Sequence, residues 1–360
     1  MKVVVIGGGI IGLATARELA LGGLDVTIVD QGRIGGEASW AGGGILSPLY
    51  PWRYPVAVNR LAKWSQAHYP ELADELIHEG AVDPQWYQSG LLMLDTNEAA
   101  AAMAWADAYD LPHELVTAAQ CAELEPALQI PDQSAVWFPT LAQIRNPRLV
   151  KSLAVSCQQH GVVLREATHV TGLSFSGKAV VGVQTDMERL PAEVVVVASG
   201  AWSARLLNGL HIQLPVRPVR GQMIMYHAQP GQVRHINLYE GHYLIPRRDG
   251  RILVGSTLEE VDFDKSTTAQ ARDQLQHFAC SLFPDLRNVP IETQWAGLRP
   301  GSPSGIPYIC TVPEHEGVYL NTGHYRNGVV LGLASARLLA DIILGREPIL
   351  DAAEYGLERA

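Results

Sequence analysis

The first thirty residues read as a strand, a glycine turn, a helix and a second strand, and little else fits them. Val3, Val4, Val5 and Ile6 form a β-branched run that stops at Gly7-Gly8-Gly9-Ile10-Ile11-Gly12. A short apolar run closed by turn residues is the pattern of a buried parallel strand. From Ile10 to Gly22, the residues Ile11, Ala14, Leu19 and Ala20 recur among Arg17 and Glu18 at helical spacing, and Asp25 to Asp30 (DVTIVD) supplies the second strand. Gly7, Gly9 and Gly12 satisfy G-x-G-x-x-G, with Asp30 placed 18 residues beyond the last of them. That arrangement is the fingerprint of an adenine dinucleotide site. Gly7 permits the tight turn, Gly9 leaves room for a pyrophosphate and Gly12 lets helix and strand pack closely. The helix N-terminus then offers N–H groups and partial positive charge to the phosphates. Asp30 would accept ribose hydroxyls and repel a 2'-phosphate, which disfavours NADP; FAD and NAD stay open.

Other classes of function are excluded by what the chain lacks. Lys and Arg number 27 against 37 Asp and Glu, a net charge of -10 with no basic run, so neither nucleic acid nor an acidic membrane surface is an expected partner. Cys121, Cys157, Cys280 and Cys310 form no C-x-x-C pair and the twelve histidines no H-E-x-x-H, so no metal is expected and the thiols read as reduced, buried side chains. The apolar start at Val3 is broken by glycines before Arg17 and Glu18, unlike a signal peptide, and no spanning helix is expected. The expected location is the cytoplasm.

Two distant segments extend the nucleotide unit. Glu193 to Ala198 (EVVVVA) is a buried strand followed by Ser199-Gly200-Ala201-Trp202-Ser203 and a helical segment through Leu207. Gly317 to Asn321 (GVYLN) leads through Thr322-Gly323-His324-Tyr325-Arg326-Asn327-Gly328 into an apolar helix from about Val329 to Leu344. With VVVIGGGIIGLATARELA, EASWAGGGILS, GHYLIPRRDGRILVGST and WAGLRPGSPSGIPYI, these stretches resemble, in order and spacing, the D-amino acid oxidase superfamily of FAD-dependent oxidoreductases. Within it they are similar to the glycine oxidase branch associated with thiamine thiazole biosynthesis.

The resemblance implies an α/β fold in which a Rossmann-like FAD-binding domain is interwoven with an α+β substrate domain on an antiparallel sheet. It implies cofactor contacts at Ile10 and Ile11, at Asp30 and Gln31 on the ribose, and at Ala38, Ser39, Gly43, Gly44 and Ile45 along the flavin. Val170 matches the adenine contact, although a strand-core valine is an equal reading. His324, Tyr325, Arg326, Asn327, Gly328, Val329 and Val330 match the loop and helix start beside the isoalloxazine ring. The related sarcosine oxidases attach flavin through a cysteine near WAGLRP; none stands there, so the FAD is expected to be non-covalent and Cys310 a core thiol.

A substrate carboxylate calls for the planar fork of an arginine. Taken alone, Arg299 is a surface arginine paired with an acid; within WAGLRP it resembles the family's carboxylate-binding position. Tyr243 and Arg326 match pocket residues, Arg326 equally as a brace of the flavin loop. Ile45 and Leu258 match positions bordering the pocket. No protein base is demanded if the amine arrives neutral.

The FAD-binding part is expected at 1–48, 142–212 and 300–360, and the substrate part at 49–141 and 213–299. Residues 57–80 and 97–109 read as helices, Met223 to Tyr226, His242 to Pro246 and Arg251 to Gly255 as antiparallel strands, and the tract Ser266-Thr267-Thr268 as a helix cap before Ala269. The function implied is oxidation of glycine or another small amine, sarcosine or a small D-amino acid, with O2 as acceptor, in a homo-oligomer that the resemblance makes a tetramer. Two alternatives remain: a dehydrogenase of the same fold passing electrons to a quinone, and a non-catalytic flavin-binding protein.

Overall fold

The computed structural model describes residues 1–129 and 134–358. A six-stranded sheet has the order Tyr308–Thr311, Val318–Thr322, Val194–Val197, Lys2–Ile6, Asp25–Val29, Val163–Arg165. Its pairs are parallel except at the Tyr308–Thr311 edge. The first strand lies in the middle, which shows why its run Val3–Ile6 has no polar residue. Val3 and Val5 face the helices Ile10–Leu21 and Gly328–Leu344, while Val4 and Ile6 face a three-stranded sheet built from Val170–Ser176, Ala179–Thr185 and Arg189–Pro191. Both faces are covered, so alternation has nothing to distinguish.

The second sheet has eight strands, in the order Ile291–Gly301, Arg217–His227, Arg251–Gly255, His242–Pro246, Ile236–Tyr239, Leu91–Met93, Ala135–Phe138, Glu114–Val116. The expected antiparallel sheet is mixed at one place. Leu91–Met93 enters from an earlier excursion of the chain rather than through a hairpin, and pairs parallel with Ile236–Tyr239. Helix Ala269–Leu282 buries Leu275 and Ala279 in one core of this sheet, and helix Ala99–Ala108 buries Ala102 and Ala106 in the other. Thr268 caps the former, its Oγ1 accepting the Ala271 N–H at 3.2 Å.

One element departs from the expected division at residue 49. Helix Val56–His78 buries Val58, Leu61, Tyr69 and Leu76 in the core that also holds Leu338 and Leu339 of the C-terminal helix. Its apolar stripe therefore faces the nucleotide layer, not the eight-stranded sheet. Arg17 ties the same layers, donating to Glu75 and Glu79 at 2.9 Å each. Cys310, expected in the core, is half-buried because it sits on an edge strand. The stretch Tyr325–Leu344 has the length and hydropathy of a membrane span, yet 61% of its most apolar window is buried inside the fold, so its hydropathy answers to the core.

Leu338 is fully buried where these helices meet. Leu338→Ala is expected to lower the unfolding free energy by about 3 kcal/mol in a denaturant titration, the cost of lost apolar contact plus a cavity.

Candidate active site

A cavity of ≈ 580 Å³ opens at the carboxyl ends of the parallel strands, where ligands bind in open α/β sheets, and runs to Arg299 and Pro300 of the second sheet. At its turn, Gly7 has φ +109° and a Cβ there would stand 2.5 Å from the Ala198 carbonyl oxygen, so no other residue fits. A Cβ on Gly9 would stand 2.9 Å from Ser39 Oγ, which accepts the Ile10 N–H at 2.8 Å. Asp30 organises this turn as well as facing the cavity. Its Oδ2 accepts the Gly8 N–H and its Oδ1 the Gly32 N–H, each at 2.8 Å, and each oxygen keeps a lone pair for another donor. Helices Ile10–Leu21 and Gly328–Leu344 both begin at this wall. Their unbonded first-turn N–H groups suit anionic or electron-rich atoms.

At the other end the strand Ile291–Gly301 carries Arg299 opposite Val219. The side chain runs along the sheet face to Gly221, where a Cβ would collide with the guanidinium. Gly221 thus provides a flat seat. The two outer nitrogens are fixed by neutral acceptors: Nη1 donates to the Thr257 carbonyl at 3.1 Å and Nη2 to Ser256 Oγ at 2.7 Å. No carboxylate among the described residues pairs with it. Desolvation lowers its pKa from the ordinary arginine value, the neighbouring Tyr243 phenol raises it and Arg326 lowers it further. A glycine inside a strand pattern signals close approach of another group, which is how Gly221 could have been found in the sequence.

Gly301 bridges to His324, and the Tyr325 N–H donates to the Pro300 carbonyl at 2.9 Å, which sets the 324–328 loop across the cavity from Arg299. The Ser335 hydroxyl donates to the Leu331 carbonyl at 2.9 Å, so it accepts from His324 Nε2–H at 3.0 Å and fixes that tautomer. Burial pulls the His324 pKa down to about 3. Beside it, Arg326 Nη2 and Asn327 Nδ2 are buried without a partner.

Most of the expected contacts lie on this one wall: Gly7, Gly9, Ile10, Ile11, Asp30 and Gln31; Ala38, Ser39 and Val170; and Arg299, His324, Tyr325, Arg326, Gly328 and Val329. Others lie behind it. Gly12 packs under the turn against the Gly7 carbonyl; Asn327 and Val330 are buried at the helix start. Gly43 lies against the Tyr243 ring, and Gly44 and Ile45 follow it along residues 144–143. Tyr243 is itself buried, its hydroxyl 3.9 Å from Met223 Sδ. Leu258 does not border the cavity. Thr257 and Glu259 turn inward, with Thr257 Oγ1 donating to Glu259 at 2.5 Å, and strand alternation leaves Leu258 half in solvent. Sequence reading assigned no role to Trp202 and Arg205, which line the cavity, the guanidinium of Arg205 lying 3.4 Å over the Phe263 ring.

A sequence profile described as DAO, FAD dependent oxidoreductase, matches residues 2–342. The chain belongs to this family. It is 50% identical to a glycine oxidase of Pseudomonas aeruginosa and 48% to one of Pseudomonas putida, covering 98% of each of those chains and 98% and 99% of this one. It superposes on the crystal structure of glycine oxidase from Geobacillus kaustophilus with a TM-score of 0.94 at 31% identity, covering 100% of this chain and 99% of that one. The cofactor of the family, FAD, fits what the residues offer. The glycine turn and the start of the helix Ile10–Leu21 line the cavity where a diphosphate would lie, and the unpartnered Arg326 donor on the same wall suits an acceptor supplied from outside the protein.

The neutral His324 makes stability pH-dependent. Between its ordinary pKa of 6.5 and its folded value of about 3, the unfolded chain takes a proton that the folded one refuses. Stability present above pH 6.5 is therefore lost on acidification, by about 1.4 kcal/mol per pH unit from this group. His324→Gln is expected to flatten the slope of unfolding free energy between pH 6.5 and 5 by that amount; equal slopes would contradict it.

Proposed function

We propose that this oxidoreductase is a glycine oxidase. It converts glycine, and small amines such as sarcosine or a small D-amino acid, to the imine, which hydrolyses to glyoxylate and ammonia, and O2 is reduced to H2O2. Thiazole synthesis for thiamine is a consumer of that imine. The observation that carries this reading is the guanidinium of Arg299, seated on Gly221, held at two edges by neutral acceptors and left without a carboxylate at the cavity wall.

Bound FAD supplies the acceptor for the two electrons that leave the substrate with a C–H hydrogen. The protein positions the reactants. Arg299 retains N–H groups for two parallel hydrogen bonds to a carboxylate, and its charge is undiminished by any protein counter-ion. Tyr243 and Arg326 border the same carboxylate or the amine. In this reading Ile10, Ile11 and the helix start hold the diphosphate, Asp30 and Gln31 the ribose, Val170 the adenine, and residues 324–330 the flavin edge. The amine loses its proton before or on binding, because among the described residues no carboxylate pairs with the arginine; His324 is committed to Ser335. The flavin is held without a covalent bond, in keeping with four cysteines that lie off the cavity wall. The division of labour between residues 1–48, 142–212 and 300–360, with helix Val56–His78 packed on them, and the remainder belongs to this proposal, as do the cytoplasmic location and the homotetramer.

Purified enzyme supplied with glycine, sarcosine or small D-amino acids is expected to release peroxide aerobically without an added acceptor. Turnover that requires a quinone would favour the dehydrogenase, and no turnover with any of them a non-catalytic flavoprotein. Arg299→Ala is expected to raise the glycine KM about 100-fold, the loss of a charge-assisted pair worth roughly 3 kcal/mol, with FAD retained. Gly221→Ala keeps the charge but lifts it off its seat, so an increase in KM of about tenfold with an unchanged unfolding midpoint is expected; unchanged KM in both variants would remove the assignment.

A further inference from the structure

Three arginines among the described residues are withdrawn from solvent: Arg17, Arg220 and Arg247. Arg17 meets Glu75 and Glu79, and Arg220 meets Glu259 and Asp264. Arg247 differs, because every acceptor it reaches is neutral. Its Nη1 donates to Gln143 Oε1 at 2.7 Å and to the Ile144 carbonyl at 3.1 Å, and its Nη2 donates to the Gly43 carbonyl at 2.7 Å. Asp249, the carboxylate that pulls on it, is already held by Arg145 at 2.8 Å and Arg251 at 2.9 Å. Burial brings its pKa down to about 10, so it remains charged at neutral pH.

A buried cation without a counter-ion is destabilising, and neutral acceptors offset only part of the cost. A second oddity lies beside it. Asn146 is almost wholly buried with neither Nδ2 nor Oδ1 hydrogen-bonded, against Gly42 and Gly44, and Gln143 Nε2 is unpartnered too. These groups surround residues 42–45 and the strand His242–Pro246, whose Tyr243 ring packs on Gly43. Residues 243, 245 and 247 share one sheet face, so a single stretch of backbone presents Tyr243 to Gly43 and carries Arg247 to the carbonyl of Gly43.

We propose that Arg247 is a positioning residue of the flavin site: it fixes the Gly43 peptide, which adjoins Gly42 of the cavity wall, and sets behind that wall a positive charge that no carboxylate contacts directly. One guanidinium reaches the carbonyls of Gly43 and Ile144 at once, and a lysine ammonium in its place would keep the charge and a donor for Gly43. The charge, in a low-dielectric interior, favours electron density arriving on the ring.

Sulfite reads this charge without any turnover. Its sulfur lone pair forms a bond to flavin N5, the ring C=N π bond breaks, and the displaced pair remains on the ring as negative charge, which bleaches the visible absorbance. In titrations of the holoenzyme, Arg247→Met is expected to weaken sulfite binding at least tenfold with FAD retained, while Arg247→Lys stays within threefold of the parent. Arg247→Met within threefold of the parent, or Arg247→Lys as weak as a tenfold loss, would overturn the proposal. Should Arg247→Met fail to fold, Arg247→Gln, which also removes the charge, decides on the limits set for Arg247→Met. The inference rests on FAD lying along residues 42–45 and not on which amine is oxidised. An enzyme inactive on glycine would still give the sulfite result, and glycine oxidation with unchanged sulfite binding would refute this inference alone.

Discussion

The bridge between Gly301 and His324 joins two sheets that are otherwise separate, and the geometry of the cavity follows from it. One sheet brings a strand carrying Arg299, the other a loop that opens the C-terminal helix. With the Tyr325 N–H on the Pro300 carbonyl, the two cannot slide past one another without breaking backbone hydrogen bonds. A guanidinium and a helix N-terminus therefore face one space at a fixed separation, which is what a reaction governed by positioning needs.

The arrangement of charge around that space is selective. Of the three arginines withdrawn from solvent among the described residues, Arg17 and Arg220 each take two carboxylates. Arg299 and Arg247 take carbonyls, a hydroxyl and an amide oxygen instead. A protein carboxylate at either place would cancel the field that an anionic substrate or an electron-accepting ring requires. Neutral acceptors fix orientation and leave the charge in force, at the expense of stability.

The nucleotide turn was legible because its constraints are local. Gly7, Gly9, Gly12 and Asp30 act within one strand–helix–strand unit, and their spacing encodes the turn they make. The strands near Met223, His242 and Arg251 were legible for a similar reason, being β-rich runs bounded by turns. Val56–His78 was legible as a helix, but its partner was not: an apolar stripe states that it is buried and does not state against what. The exposure of Leu258 was not legible, because its orientation depends on which neighbours pair with Arg220 and Gln222 across a chain reversal. Gly221 and Arg247 carried weak local signals, and their partners lie far along the chain.

The sequence by itself determined the dinucleotide turn, the family and the kind of side chain that would meet a carboxylate, since each rests on residues close together or on ordered motifs. Only the tertiary structure decided that Arg299 has a glycine for a seat and that Arg247 holds Gly43 from a strand some two hundred positions away. Collision and desolvation are properties of the packed interior, where residues distant in the chain compete for the same volume, and no pattern along the chain records which of them will meet.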